Sequence, residues 1–141
     1  MRFHREEIPI RSSRRFQLRD ITELVAGVVE RSGIREGLAV VYSPHTTAAI
    51  RVNEFDRRLH EDIEGFLKEL VDPASPSRHN VETVDDRPNA WGHLISLLMD
   101  ASASIPIFES TLELGGWQSV FFVELDGPRE SRKVLVRIMG E

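Results

Sequence analysis

The sequence predicts an α+β domain in which helices pack against antiparallel sheet. Segments rich in β-branched and alternating apolar residues occur in both halves of the chain. Three other segments repeat apolar residues every three or four positions, as amphipathic helices do. The two kinds of segment do not alternate regularly, so a parallel sheet with crossover helices is not expected. We expect about seven or eight strands and three helices in one domain spanning residues 1–141.

Two strands and a helix are predicted first. Residues 2–10 are expected to form an edge strand, because Pro9 cannot donate a hydrogen bond to a ladder, and residues 16–18 a second short strand. Asp20 is expected to cap a helix that ends at Gly33. The apolar face of this helix comprises Ile21, Leu24, Val25, Val28 and Val29.

The central stretch, residues 38–52, is predicted to be a strand pair or one bent strand. The segment Ser43-Pro44-His45-Thr46-Thr47 interrupts it. A buried strand has no packing reason to carry an imidazole and two hydroxyls. These groups therefore either make local hydrogen bonds or face a site.

A second amphipathic helix is predicted over residues 55–70, with His60 on its solvent-exposed side. Residues 71–88 are rich in proline, serine, asparagine and aspartate, which predicts a long loop. Loops of this length in a compact domain are usually functional or mobile.

A third helix is predicted over residues 89–99, with Asn89 at its N-cap. Asn89 and His93 are four residues apart and therefore share one face. Three leucines are expected to face the core: Leu94, Leu97 and Leu98.

From residue 104 onwards the pattern predicts strands to the end, over residues 105–108, 111–114, 117–125 and 131–139. The strand at 117–125 carries apolar residues on both faces. Both faces should therefore be covered, by the other sheet, a helix or a partner chain.

Composition excludes several classes of protein. With 40% apolar and 29% charged residues, the chain has the balance of a soluble globular protein. No apolar run approaches the roughly 20 residues that span a bilayer, and residues 1–7 lack a signal-peptide core. We therefore expect a cytoplasmic protein with no membrane partner. The absence of cysteine excludes disulfides, thiolate zinc sites and a cysteine nucleophile.

The net charge of −5 argues against nucleic-acid binding, which needs a basic face. Positive charge is nevertheless clustered at both ends of the chain, so local pockets for an anionic small ligand remain open. The early cluster comprises Arg11, Arg14, Arg15 and Arg19, and the late one Arg129, Arg132, Lys133 and Arg137.

Polar residues that suit a site fall into four clusters: His45-Thr46-Thr47 with Asn53-Glu54; His79; Asn89 with His93; and Gln118 and Glu124 with Asp126-Gly127-Pro128-Arg129. Three histidines suit an open metal site, although no local zinc-binding spacing is present. Imidazoles with hydroxyls and arginines suit a phosphate or another oxyanion equally well. The third possibility is three unrelated histidines in separate niches.

The same motifs, taken in order, resemble the YjbQ family, also called UPF0047. They are Ser43-Pro44-His45-Thr46-Thr47-Ala48, Asn53-Glu54, Arg78-His79, Asn89 and His93, Gly116-Trp117-Gln118, and Glu124 to Arg129. The resemblance runs from about Phe16 to Glu141. It implies a mostly antiparallel β-sandwich with helices packed on it, assembled as a homotrimer.

The resemblance also implies a function. Members are labelled secondary thiamine-phosphate synthases, transferases that join a pyrimidine diphosphate to a thiazole phosphate. The implied site gathers His45, Glu54 and His93 as catalytic residues, in an arrangement that could span two subunits. The implied binding residues are Thr46, Thr47, Asn53, Asn89, Gln118 and Arg129. A divalent metal, zinc or magnesium, is the expected cofactor, held by His45, His79 and His93, and no organic cofactor is expected.

Three functions follow as hypotheses. The first is an enzyme that acts on a phosphorylated small molecule, in which Arg129 holds phosphate and Glu54 is a base or orients one. The second is a non-catalytic trimer that binds a metal or a phosphorylated metabolite through the same residues. The third is a purely structural role for the polar motifs.

Overall fold

Two antiparallel sheets packed face to face form the frame of the protein, in a computed structural model that describes residues 1–141. The five-stranded sheet has the order β1-β8-β3-β5-β6, with β1 Arg2–Ser12, β3 Gly37–Tyr42, β5 Ser102–Phe108, β6 Thr111–Leu112 and β8 Arg129–Gly140. The three-stranded sheet has the order β2-β7-β4, with β2 Gln17–Asp20, β4 Ala48–Glu54 and β7 Gln118–Glu124. The helices are α1 Thr22–Ser32, α2 Arg57–Leu70, α3 Arg78–Val81 and α4 Ala90–Ser96. The α+β class is therefore confirmed.

Two hydrophobic clusters hold the layers together. The larger lies between the sheets and under α1, where Val134, Val136 and Ile138 of β8 meet Val120 and Phe122 of β7. The smaller lies on the outer face of the three-stranded sheet. It comprises Phe16, Ala49, Leu67, Trp91, Ile95, Phe121, Val123 and Leu125. Strand β7 is thus buried on both faces by its own chain, and its two-sided pattern needs no partner.

The edge position of β1 is as predicted, and Pro9 lies in that strand opposite Lys133. The start of α1 differs from the prediction. Strand β2 continues through Asp20, whose carboxylate accepts hydrogen bonds from the amide (2.9 Å) and hydroxyl (2.6 Å) of Thr22. Gly33 ends α1 in the left-handed conformation, as expected.

The prediction that the three leucines near α4 face the core is wrong. Leu94, Leu97 and Leu98 are 46%, 80% and 61% exposed, whereas Trp91 and Ile95 of α4 are buried. The reason is that α4 ends at Ser96, so the last two leucines lie beyond the helix whose periodicity would have turned them inward.

Two further differences lie in the middle of the chain. The long loop at 71–88 contains the one-turn helix α3. His60 is half-buried instead of fully exposed, because its ring packs edge-on against Phe55 and Phe121, with centroids 5.5 and 5.1 Å apart. Its Nε2 atom is buried and lacks a hydrogen-bond partner. No helix of the protein is both long and apolar enough to cross a lipid bilayer.

Candidate functional site

A polar cleft of about 430 Å³, here called the histidine cleft, lies where the segment after β3, the start of β8 and helices α3 and α4 meet. Seven residues singled out in the sequence line it: His45, Thr46, Thr47, His79, Asn89, His93 and Arg129. Pro44, Val84, Asp85 and Arg132 complete its walls. The fold therefore brings all three candidate histidines to one cavity.

His45 is held by the backbone of β8. The pairing of β3 with β8 ends at Tyr42 and Leu135, so the Lys133 amide lies beyond the ladder. That amide donates a hydrogen bond to His45 Nε2 over 2.9 Å. An N–H group can only donate, so in this contact the neutral ring accepts at Nε2 and carries its proton on Nδ1, whereas the opposite tautomer would donate from Nε2 to the Lys133 carbonyl, 3.1 Å away. The polar residue in the interrupted strand thus completes a backbone hydrogen bond.

Burial lowers the pKa of His45, and the nearby charge of Arg132 lowers it further. The Lys133 carbonyl, 3.1 Å from Nε2, favours the protonated ring but does not outweigh these two effects. His45 is therefore a neutral imidazole at pH 7.

Thr47 joins the cleft to a buried ion pair. Arg132 donates to the Glu124 carboxylate through Nε (3.0 Å) and Nη2 (2.6 Å), and Nη2 also donates to Thr47 Oγ (2.9 Å). Glu124 accepts two more hydrogen bonds, from the Ser12 hydroxyl (2.8 Å) and the Asp126 amide (3.0 Å). Both charged groups therefore have several hydrogen-bond partners. A buried ion pair is compatible with a stable fold only under that condition.

His79 is oriented by a chain of hydrogen bonds that starts at Asp126. Asn89 Nδ2 donates to the Asp126 carboxylate over 2.8 Å, and Asn89 Oδ1 therefore faces His79 Nε2 at 2.9 Å. Because an amide oxygen only accepts, Nε2 of His79 must carry a proton. Asn89 is 4% exposed, so this arrangement is shielded from water.

Asp126 is the anchor of this chain. Burial alone would raise its pKa, but hydrogen bonds from Arg87, Asn89 and Arg129 outweigh burial and lower the pKa. Arg129 Nη2 lies 2.6 Å from one carboxylate oxygen, and Arg87 Nη2 lies 3.1 Å from the other. In the following turn the Gly127–Pro128 peptide is cis, and Gly127 lies so close to the Arg14 carbonyl that no Cβ would fit.

His93 is the histidine with the most freedom. Neither ring nitrogen has a protein hydrogen-bond partner, and its ring meets that of His79 edge-on with centroids 4.9 Å apart. Burial and the neighbouring His79 lower its pKa, so it too is neutral at pH 7. It is therefore the imidazole best placed to accept or donate a proton.

Helix α4 is fixed closely against the sheet. A Cβ on Gly92 would lie 2.7 Å from the Leu125 carbonyl oxygen, so any side chain here would force the backbone of the helix or of the sheet to shift. On the next turn the Ser96 hydroxyl lies 2.8 Å from the His93 carbonyl oxygen and 3.0 Å from the Thr46 carbonyl oxygen, and its one proton is shared between these two acceptors. Gly92 and Ser96 thus set the distance between His93 and the His45 segment.

Comparison with known proteins now places the chain. A family model described as UPF0047 protein YjbQ-like matches residues 6–141. The chain belongs to the YjbQ family.

Several relatives and solved structures match along almost their whole length. A UPF0047 protein of Methanothermobacter thermautotrophicus is 43% identical over 141 residues, which cover 100% of this chain and 95% of the relative. The UPF0047 protein YugU of Bacillus subtilis is 32% identical, over a match that covers 94% of this chain and 97% of the relative. The structure of a YbjQ-like protein of unknown function from Sulfolobus solfataricus has a TM-score of 0.93 at 39% identity, with 99% of each chain covered. A Clostridium acetobutylicum member of the family has a TM-score of 0.87 at 38% identity, over 95% of this chain and 99% of that one.

Three residues implied by the YjbQ resemblance lie outside the histidine cleft. Glu54 and Gln118 face each other across β4 and β7, and Gln118 accepts a hydrogen bond from the Gly115 amide over 2.8 Å. Asn53 and Glu54 line a different cavity, of about 270 Å³, beside α2. Within one chain, Asn53, Glu54 and Gln118 therefore do not line the same cavity as His45, His79 and His93.

The sequence interpretation missed Arg132 as a wall of the cleft. A signal was present, because Arg132 is in phase with the inward-facing Val134, Val136 and Ile138 of β8. A charged residue in a buried phase implies a buried partner. The partner, Glu124, also lies among buried positions, at the end of β7.

The donors of the histidine cleft bear on the divalent metal that the YjbQ resemblance implies. No group of three or more histidine, cysteine, aspartate or glutamate side chains is arranged to hold a metal ion. The Nε2 atoms of His45 and His79 are already bonded to Lys133 and Asn89. With these hydrogen bonds in place, the histidines do not fit a metal ion. The zinc or magnesium cofactor that the YjbQ resemblance implies stays a prediction.

Proposed function

We propose that the protein is an enzyme that binds a phosphorylated small molecule in the histidine cleft and transfers protons through neutral imidazoles. The observation that carries this proposal is the combination in one cavity of His93, free of protein partners, with two guanidinium groups and the Thr46 hydroxyl. Neutral imidazole is the form that acts as a general base near pH 7. Guanidinium and hydroxyl groups are the donors that phosphate oxygens prefer.

Each residue then has a role. Arg129 and Arg132 keep their remaining N–H donors for phosphate, because each group has five and the protein contacts use only part of them. Thr46 supplies a hydroxyl that has no other hydrogen-bond partner. His93 accepts or returns a proton, and Asn89 holds His79 beside it.

The first reaction to test is a transfer of the thiamine-phosphate-synthase type. In it a thiazole nitrogen, which carries no proton, forms a bond to the methylene carbon of the pyrimidine, and the carbon–oxygen bond to diphosphate breaks. The proton that His93 passes on would go to the departing diphosphate oxygen. The purified protein is incubated with both phosphorylated substrates, with and without a divalent metal, and thiamine phosphate is measured.

The matched variants are His93→Gln and His4→Gln. His4 is on β1, where its ring pairs with Glu6 at 2.8 Å, and it does not line the cleft. Loss of a general acid or base lowers rates by about 10²- to 10⁴-fold, and we expect that loss for His93→Gln alone. Full activity in both His93→Gln and His45→Ala would show that the site is wrongly assigned.

A second candidate function is a non-catalytic binding module for a phosphorylated metabolite. Its support is that two of the three imidazoles are tied to protein groups, which suits fixed recognition better than proton transfer. Tight binding in calorimetry, with no product formed from the substrate pair, would favour this function over the enzyme.

We also propose the homotrimer that the YjbQ resemblance implies. Its support is a group of exposed apolar side chains around α2: Phe55, Phe66, Leu70 and Leu98, which are 51–62% exposed. Single exposed apolar residues are normal, but a cluster indicates an interface. In a trimer, Glu54 could reach a histidine cleft only as a neighbour's residue. Light scattering at micromolar concentration tests the assembly, and a monomeric mass would overturn it.

A further inference from the structure

A second cavity of about 380 Å³ adjoins the histidine cleft and differs from it in chemistry. The two cavities share His45, Thr46 and His93. Five of the ten residues around the second cavity are hydrophobic, against one of eleven around the cleft. We call the second cavity the apolar lobe.

We infer that the apolar lobe binds the unphosphorylated part of the ligand, an aromatic ring or short apolar chain whose phosphate lies in the histidine cleft. The inference rests on the proposed function for the phosphate half, and it adds the class of substrate. The ligand is thus an organic phosphate with an apolar end, as opposed to inorganic phosphate or a sugar phosphate.

The walls of the lobe support an apolar occupant. Leu94 and Leu97 stand at its rim, 46% and 80% exposed, and nothing in the chain covers them. Met99 forms part of the wall, and its flexible thioether adapts to ligands of different shape. Contact with a ring would remove the apolar surface of these side chains from water.

Charge fixes the direction in which the ligand lies. The histidine cleft is lined by Arg129 and Arg132, with Asp85 as its one carboxylate, whereas the apolar lobe has no guanidinium among its lining residues and its carboxylate, Asp100, is paired with Arg51. A phosphate therefore finds guanidinium donors in the cleft and none in the lobe.

The junction of the cavities lies at His93 and Thr46. A ligand that fills both would place the bond between its phosphate and its apolar part beside the free imidazole. That is where proton transfer to or from a leaving or attacking atom would be useful.

The test compares two probes on the full-length protein, inorganic phosphate and phenyl phosphate. We expect both to bind in calorimetry, with phenyl phosphate about 10-fold tighter because the ring buries apolar surface. Leu94→Ser should remove about that 10-fold advantage and leave phosphate affinity unchanged.

The control variant is Leu24→Ser. Leu24 is also a helical leucine, 48% exposed against 46% for Leu94, and it lines neither cavity. It should alter neither affinity, because it shares with Leu94→Ser only the general effects of the substitution.

The outcomes separate the two proposals. If neither probe binds, the proposed function and this inference both fail. If phosphate binds but phenyl phosphate binds no more tightly, the apolar lobe is not a subsite, while the phosphate cleft stands. Equal weakening of both probes by Leu94→Ser would also overturn the inference.

Discussion

The buried pair of Arg132 and Glu124 allows a quantitative prediction. Their side chains are 8% and 0% exposed. Arg132→Met keeps the length of the side chain but removes both hydrogen bonds to the carboxylate, at 3.0 and 2.6 Å. Glu124 would keep only the Ser12 hydroxyl and the Asp126 amide as donors.

Removing one partner of a buried pair costs about 3–5 kcal/mol, because the remaining charge stays buried without compensation. We therefore expect Arg132→Met to lower the free energy of unfolding at pH 7 by about that amount. Urea unfolding at 25 °C, followed by tryptophan fluorescence to which the buried Trp91 contributes, measures it. Protein concentration must be equal in all samples, because association contributes to stability.

Arg11→Met is the matched control. Arg11 pairs with Glu130 at 3.1 Å, but their side chains are 77% and 83% exposed. Exposed pairs contribute about 0–1 kcal/mol, so this variant should resemble the wild type. In the double variant Arg132→Met/Glu124→Gln, the uncompensated charge is gone and the amide oxygen still accepts from Asp126. It should recover more than about 1 kcal/mol of the loss. Equal costs for Arg132→Met and Arg11→Met would refute the reasoning.

Three further predictions concern the cleft. In long-range proton–nitrogen NMR spectra at pH 7, His79 should show the Nε2–H tautomer and His45 the Nδ1–H tautomer. Asn89→Ala should disturb His79 alone, and an unchanged His79 signal would count against the Asn89 contact. The pKa of Asp126 in the folded state lies below its usual value of 3.8, so ionised Asp126 stabilises the fold above pH 3.8. That stabilisation is lost as the pH falls through the folded-state pKa. Asp126→Asn should therefore be less stable than wild type at pH 7, with a difference that narrows in acid unfolding curves below pH 3.8; a constant difference would contradict this. Gly92→Ala should destabilise by about 1–3 kcal/mol because its Cβ meets the Leu125 carbonyl. Gly65→Ala in α2, where a Cβ meets nothing within 4 Å, should stabilise the protein by about 0.5–1 kcal/mol. If urea unfolding showed that both glycine variants change the free energy of unfolding in the same direction, this explanation would be wrong.

Much of the fold was predictable because burial leaves a clear period in the sequence. The alternation of Val134, Val136 and Ile138 predicted β8, and the two-sided pattern around Phe121 and Phe122 predicted a strand covered on both faces. Helix ends were less predictable. The leucines after Ser96 continue a helical spacing, but backbone geometry ends the helix first, and sequence spacing does not carry that information.

Some features of the candidate site could be predicted from the sequence and others could not. The segment around His45 was conspicuous because polar groups interrupt an apolar strand, and the structure does place His45 at a cleft with His79 and His93. The separation of Glu54 from that cleft was not predictable, because sequence order does not show which end of a strand lies near which loop. The roles of the ring nitrogens depend on single contacts across the fold, such as that from Lys133, which no local pattern records.

The histidine cleft is closed by contacts between distant parts of the chain. The contact from the Lys133 amide to His45 joins residues 88 positions apart, and that from Arg132 to Thr47 spans 85. Closing such long loops costs chain entropy, so these contacts form only when many others already hold the sandwich together. The cleft should therefore be absent from partly folded forms of the protein. Amide hydrogen exchange at Lys133 would then report on opening of the whole domain, and a ligand in the cleft would slow that opening.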